Sequence, residues 1–275
     1  MVRRATTSLT WLAAAVGLVV LAAPAMAGVI LTDANTVAEF DFESFRGMYT
    51  WEVDGVDHMF QQWFWVRVGD VGGEQSFDEL AMVGSPVLED TNADQVIDAV
   101  TVNYVGVGLL FEVRFSVVGG APGSGGSIVF ETITITNALA ESLDVRFFQY
   151  TDLDLNGSED GDTIEILGGN TAVQSKGAFL VAETVVTRQP SHYQADDYWG
   201  GLVDDLGDDQ PTTLNDFAGP IVGVDAVWAF EWDETIGPGD SVVISKNKNI
   251  IPEPATLALM GGGLAIALAT KKRKR

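Results

Sequence analysis

Two stretches of this chain place hard oxygen ligands at metal-binding spacing. In Asp-Leu-Asp-Leu-Asn-Gly-Ser-Glu-Asp-Gly-Asp, residues 152–162, Asp152, Asp154 and Asn156 take positions 1, 3 and 5 of a calcium-type loop. Gly157 takes position 6, where such a loop turns sharply. Position 12 is Thr163 instead of a bidentate Glu, so Asp160, Asp162 or Glu165 would have to close the shell. Residues 89–98 repeat the theme with Asp90, Asn92 and Asp94 at alternate positions and Asp98 as a fourth oxygen donor, but position 6 there is Gln95. In an acidic chain such ligands suit Ca2+, which fills its shell with oxygens. Asp and Asn also build ordinary turns, so both loops stand as candidates. Ca2+ is the one cofactor the residues point to.

Catalytic chemistry has little material. The chain has no cysteine, which excludes a disulfide framework, a thiol nucleophile and a thiolate metal site. His58 and His192 are its two histidines, and no His-Glu-x-x-His occurs. The glycines between 119 and 126 lie between strand patterns and precede no helix, so they form no phosphate cradle. A glycosidase needs two carboxylates across a cleft, but in so acidic a chain some pair will always qualify. The expectation is a non-enzymatic protein. The alternative is a carbohydrate-binding module or glycosidase built on residues 60–65. There Phe60, Phe64, Val66 and Val68 alternate with Met59, Trp63 and Trp65. Clustered aromatics usually fill cores, so a central strand covered on both faces is expected; Trp63 and Trp65 side by side on an open face would instead offer a platform to a sugar ring.

The elements that must carry these residues are strands. The apolar period is two nearly everywhere between Gly28 and Asn249, and no convincing helix is expected there. Leu109, Phe111, Val113, Phe115 and Val117 share one face, with Glu112, Arg114 and Ser116 on the other. In 127–137, Ile128 and Phe130 are set against Glu131. Leu143, Val145 and Phe147 continue the pattern. Turn signals punctuate it at Asp54-Gly55, Asn156-Gly157, Gly168-Gly169 and Pro238-Gly239. The expected fold is all-β, a large antiparallel β-sandwich over residues 28–249. Residues 195–216 hold seven aspartates and read as a surface excursion.

The charge is strongly segregated. Arg3, Arg4 and the Lys271 to Arg275 cluster remove seven of the 15 cations, leaving eight against 38 acids between residues 28 and 250. A body with that balance has no basic patch to neutralise phosphates, so nucleic acid is excluded as a partner.

Both ends carry targeting signals. Residues 1–27 have a basic start, an apolar run from Leu9 to Ala23, and Ala25-Met26-Ala27, the small-x-small pattern read by signal peptidase, with cleavage expected before Gly28. A signal-peptide helix is therefore expected at the N-terminus. Residues 255–270 are uncharged and read as one C-terminal transmembrane helix, and the basic tail 271–275 is expected to stay in the cytoplasm. Pro252-Glu253-Pro254 precedes that span, and its two prolines favour an extended segment.

Pro252, Glu253 and Pro254, a short span and a terminal basic cluster together resemble the PEP-CTERM sorting signal of Gram-negative bacteria. The resemblance covers residues 250–275. It implies handling by an exosortase, with the three motif residues as its recognition element. It also implies export across the inner membrane, transient anchoring there, and delivery to the cell surface or beyond, with exopolysaccharide or biofilm as the setting. Less specifically, the Asp54-to-His58 stretch, Gln62-Trp63-Phe64 and residues 147–157 resemble a group of PEP-CTERM proteins to which no activity attaches.

Overall fold

A computed structural model describes residues 28–252. The expected signal peptide, with Ala25 and Ala27, the expected span and the basic tail lie outside the described residues, as do Glu253 and Pro254. Among the described residues no helix is long and apolar enough to cross a membrane.

The chain moves back and forth between two sheets. It first lays down β1 (Val29–Asp33), β2 (Thr36–Asp41), β3 (Gly47–Val53), β4 (Val56–Asp57), β5 (Gln61–Val68) and β6 (Gln75–Ser76) in one sheet. It then crosses to the second for β7 (Ala81–Met82), β8 (Val87–Glu89), β9 (Ala99–Gly106), β10 (Leu109–Gly119) and β11 (Ser127–Asn137). β12 (Leu143–Asp152) returns to the first sheet. β13 (Asp162–Leu167), β14 (Thr171–Lys176) and β15 (Phe179–Thr187) belong to the second, and β16 (His192–Asp197) to the first. β17 (Ile221–Val224) is in the second, β18 (Ala226–Ile236) in the first and β19 (Ser241–Pro252) in the second. The result is a sandwich of a 9-stranded and a 10-stranded sheet. Among the described residues the pairing is antiparallel apart from one short parallel contact, β3 with β5.

Alternation explains which faces meet. On β10, Leu109, Phe111, Val113, Phe115 and Val117 are buried while Leu110 and Glu112 face solvent. Phe64 of the first sheet lies 5.6 Å from Phe147 beside it and 6.2 Å from Phe115 across the sandwich, ring centre to ring centre. Phe77, on a 3-10 turn, fills the gap at 4.6 Å from Phe111. Aromatic area of this size dominates a core.

On β11 the face that carries Glu131 is the buried one. Val129, Ile133 and Ile135 point inward together with Glu131, and Phe130 is exposed. The reason is an ionic cluster sealed between the sheets. Glu131 pairs in register with Lys246 on one side of β19, and Glu183 pairs with Lys248 on the other. All four side chains are fully buried. Lys246 Nζ bonds Glu131 and lies 3.2 Å from Glu183 Oε1; Lys248 Nζ bonds Glu131 and lies 3.4 Å from Glu183 Oε2. The first sheet completes the set: Gln62 Nε2 donates to Glu131 Oε2 at 2.9 Å, and Gln149 Nε2 and Thr151 Oγ1 donate to Glu183 Oε2 at 3.2 and 3.3 Å. Burial alone would push the Glu131 carboxyl up, but the two lysines outweigh it and hold it below the ordinary value. Two cations and two anions balance, as buried charges require.

The Asp-rich stretch 195–216 is also structured, correcting two expectations. It continues β16 into a 3-10 turn at Tyr198–Gly200 and a short helix, α1 (Leu202–Gly207). Leu202, Leu206 and Leu214 are buried while the aspartates of α1 stay outside. Apolar residues at helical spacing override the charge of their neighbours.

Candidate functional site

The β12–β13 turn brings Asp152 and Asp154 together and adds a residue from far along the chain. Asp152 closes β12, Asp154 follows in the turn, and Asp225 sits at the joint between β17 and β18. Each offers a carboxylate oxygen, and these oxygens lie within 4.8 Å of one another. Register explains the meeting. Asp152 pairs with Val227 in the first sheet and Asp162 with Val224 in the second, so both connections cross between the sheets at the same place.

The turn is held from several sides. Leu153 and Leu155 are buried, and the intervening Asp154 is half-buried. Asn156 and Gly157 adopt positive φ of 62° and 66°, which closes the turn. The Asn156 N–H donates to His58 Nδ1 at 3.1 Å, and Gln174 Nε2 donates to the Leu153 carbonyl at 2.9 Å. His58 is thus a buried strut, its pKa lowered by desolvation.

The electrostatics are those of crowded, partly buried carboxylates. Burial, helped by the charges of Asp225 and Asp154, pushes the Asp152 carboxyl up to about 8. Burial, with Asp154, Glu159, Asp160 and Asp197 nearby, pushes Asp225 to about 6. Desolvation raises Asp154 as well. Tyr150 Oη donates to Asp152 Oδ2 at 3.3 Å, but Asp152 Oδ1 and Asp225 Oδ1 are buried without a hydrogen-bond partner.

The remaining members of the first loop go elsewhere. Asn156 is exposed, and Asp160 is exposed outside the three-carboxylate group. Asp162 is buried against Gln174 and forms an ion pair with Lys176 Nζ at 3.2 Å. The second loop uses its oxygens on its own backbone. Asp90 accepts from the N–H groups of Ala93, Asp94 and Gln95, Asn92 from Asp94, and Asp94 from Val96. Asp98 accepts from the N–H and hydroxyl of Thr91, both at 2.8 Å. Those residues build an Asx-type turn. Asp225 was the residue sequence reasoning missed. Its signal was a lone acid inside the apolar run Ile221 to Phe230.

Trp63 and Trp65 are buried, at 1% and 3% exposure, so they make no open sugar platform. β5 is covered on both faces, as its two-sided apolar pattern demands: Phe64 packs toward Phe115 of the other sheet, while on the opposite face Trp63 Nε1 donates to Ser76 Oγ at 3.0 Å and Arg67 reaches the Thr212 carbonyl at 3.2 Å. Trp65 is among the residues around a cleft of about 550 Å³, with Phe45, Phe60, Tyr198, Asp78 and Asp204. A neighbouring cleft of about 480 Å³ shares Phe45 and Phe60 and ends at Asp57 and Asp154.

The second histidine stands apart. His192 Nδ1 lies 3.1 Å from Asp216 and Nε2 3.8 Å from Asp233. Among the described residues no hydroxyl is hydrogen-bonded to either imidazole.

Residues 251–274 match the PEP-CTERM protein-sorting motif, so the chain carries that signal, and the match is confined to those residues. No curated protein matches the chain in sequence. The body is similar in fold to a bacterial glucoamylase complexed with acarbose, at TM-score 0.53 and 8% identity over 82% of this chain and 32% of that one. It is also similar to a protein described as an aldose 1-epimerase from Escherichia coli K12, at TM-score 0.51 and 9% identity over 82% of this chain and 99% of that one. The chain thus spans about a third of the glucoamylase chain and nearly all of the second protein. At these identities the likeness is one of fold.

Proposed function

We propose that this chain is an exported, non-enzymatic surface protein, handed to an exosortase by its C-terminal signal and retained at the cell surface or in an exopolysaccharide layer. The observation that carries the reading is the sorting motif at residues 251–274. Its first two residues, Ile251 and Pro252, are also the last two of β19. The signal therefore follows the sandwich without a spacer, in the extended geometry its prolines favour. Among the described residues neither histidine is hydrogen-bonded to a hydroxyl, so neither belongs to a Ser-His-Asp arrangement, which is in keeping with a non-enzymatic role.

Substituting Glu253→Ala in the full chain, in an exosortase-bearing host, tests it. Wild type should reach the surface, accessible to added protease, while the variant accumulates in the inner-membrane fraction. Equal sorting of the two would end the reading.

A second reading, glycan binding, has one observation in its favour: the cleft that combines Phe45, Phe60 and Tyr198 with Asp78 and Asp204. Aromatic faces beside carboxylates are suited to sugar rings. A glycan array probed with the full chain and with Phe60→Ala tests it. Signal lost in the variant supports the reading, and a blank array for wild type removes it.

A further inference from the structure

We propose that Asp152, Asp154 and Asp225 hold one Ca2+ ion at the seam where the chain crosses between the two sheets. Three observations carry this beyond the presence of acids. First, the oxygens fit the ion. Two oxygens each about 2.3–2.6 Å from Ca2+ stand at most ~5 Å apart, and these lie within 4.8 Å of one another. Mg2+ gives up its waters reluctantly and usually binds through one or two carboxylates, so a set of three carboxylates favours Ca2+. Second, Asp152 is 1% exposed and its Oδ1 has no partner, nor has the buried Oδ1 of Asp225. A buried carboxylate oxygen without a donor is costly, and a cation is what relieves it. Third, no protein cation does so: among the described residues Lys176 pairs with Asp162, and no Lys or Arg forms an ion pair with Asp152, Asp154 or Asp225.

The position gives the ion a job. Asp152 and Asp154 come from the connection leaving the first sheet, and Asp225 from the connection entering it. An ion bound to all three staples the crossings together. Asp154 also lines the cleft that opens to solvent, which supplies an entry path. Water fills the coordination positions the three carboxylates leave.

The test uses the purified full chain in detergent. Thermal unfolding is followed with chelator, with Ca2+ and with Mg2+. At about a hundredfold excess over Kd, Ca2+ should raise Tm by about 5 °C or more, and Mg2+ by much less. Tb3+ in place of Ca2+ should luminesce on aromatic excitation, because Tyr150 touches Asp152, and Ca2+ should quench the signal by competition. Asp225→Asn should abolish both effects while its ion-free Tm stays at or above that of wild type, since a repelling charge is gone. Asp94→Asn, in the other acidic loop, should leave both intact. No Ca2+ shift in wild type, a shift retained in Asp225→Asn, a shift lost in Asp94→Asn, or equal shifts from Mg2+ and Ca2+ would each overturn the assignment.

Discussion

Asp152 and Asp225 converge on one point from opposite directions, Asp152 where the chain leaves the first sheet and Asp225 where it re-enters. Their carboxylate oxygens lie within 4.8 Å, and each has a buried oxygen without a donor.

That proximity makes the ion-free protein pH-sensitive in a defined direction. The folded-state Asp152 carboxyl is raised to about 8 by burial and by the charges of Asp225 and Asp154, with Tyr150 and Asp162 also facing it. A raised carboxyl means the folded state holds its proton longer than the unfolded chain does. The associated stability is present below the unfolded pKa of about 4 and is lost as pH rises toward 8. Glu231, pushed up to about 7 mainly by burial, acts in the same sense. In chelator, Tm should fall between pH 5 and 8. Asp152→Asn should flatten that fall, and melts at four or five pH values check it.

The buried ionic cluster should respond asymmetrically. Lys248→Met leaves Glu131 and Glu183 with one cation between them and should cost about 3–5 kcal/mol. Adding Glu131→Leu restores charge balance and should recover part of that loss. Urea unfolding monitored by tryptophan fluorescence measures both. Additive losses in the double variant would mean the pairs act independently.

Gly47 should tolerate no side chain. Its φ is +59°, and a Cβ there would meet the Gln62 carbonyl at 2.1 Å and the Trp63 ring at 2.2 Å. This is where β3 touches β5 in the one parallel contact of the fold. Gly47→Ala should destabilise by about 2 kcal/mol or more, read as a lower urea midpoint.

Much of the architecture was legible in the chain. The period-two pattern marked β10 and β12 with their buried faces, and Asp54-Gly55 marked a turn whose two residues both adopt positive φ. That Glu131 lies on the buried face of β11 was not legible, because an isolated strand gives a charge no reason to point inward. The reason lies on β19, more than a hundred residues later, in lysines that match it in register. The two acidic loops looked alike in spacing, yet one folds its oxygens onto its own amides and the other leaves oxygens free.

The sequence by itself determined the sorting signal, the all-β class and the absence of thiol chemistry, because these depend on local order and composition. Only the tertiary structure decided that Trp63 and Trp65 are core, that two lysines and two glutamates share a sealed site, and that Asp225 joins Asp152 and Asp154. The reason is physical. Strand periodicity says which residues share a face, but which faces meet, and which charges find partners, depends on how distant strands pair between two sheets.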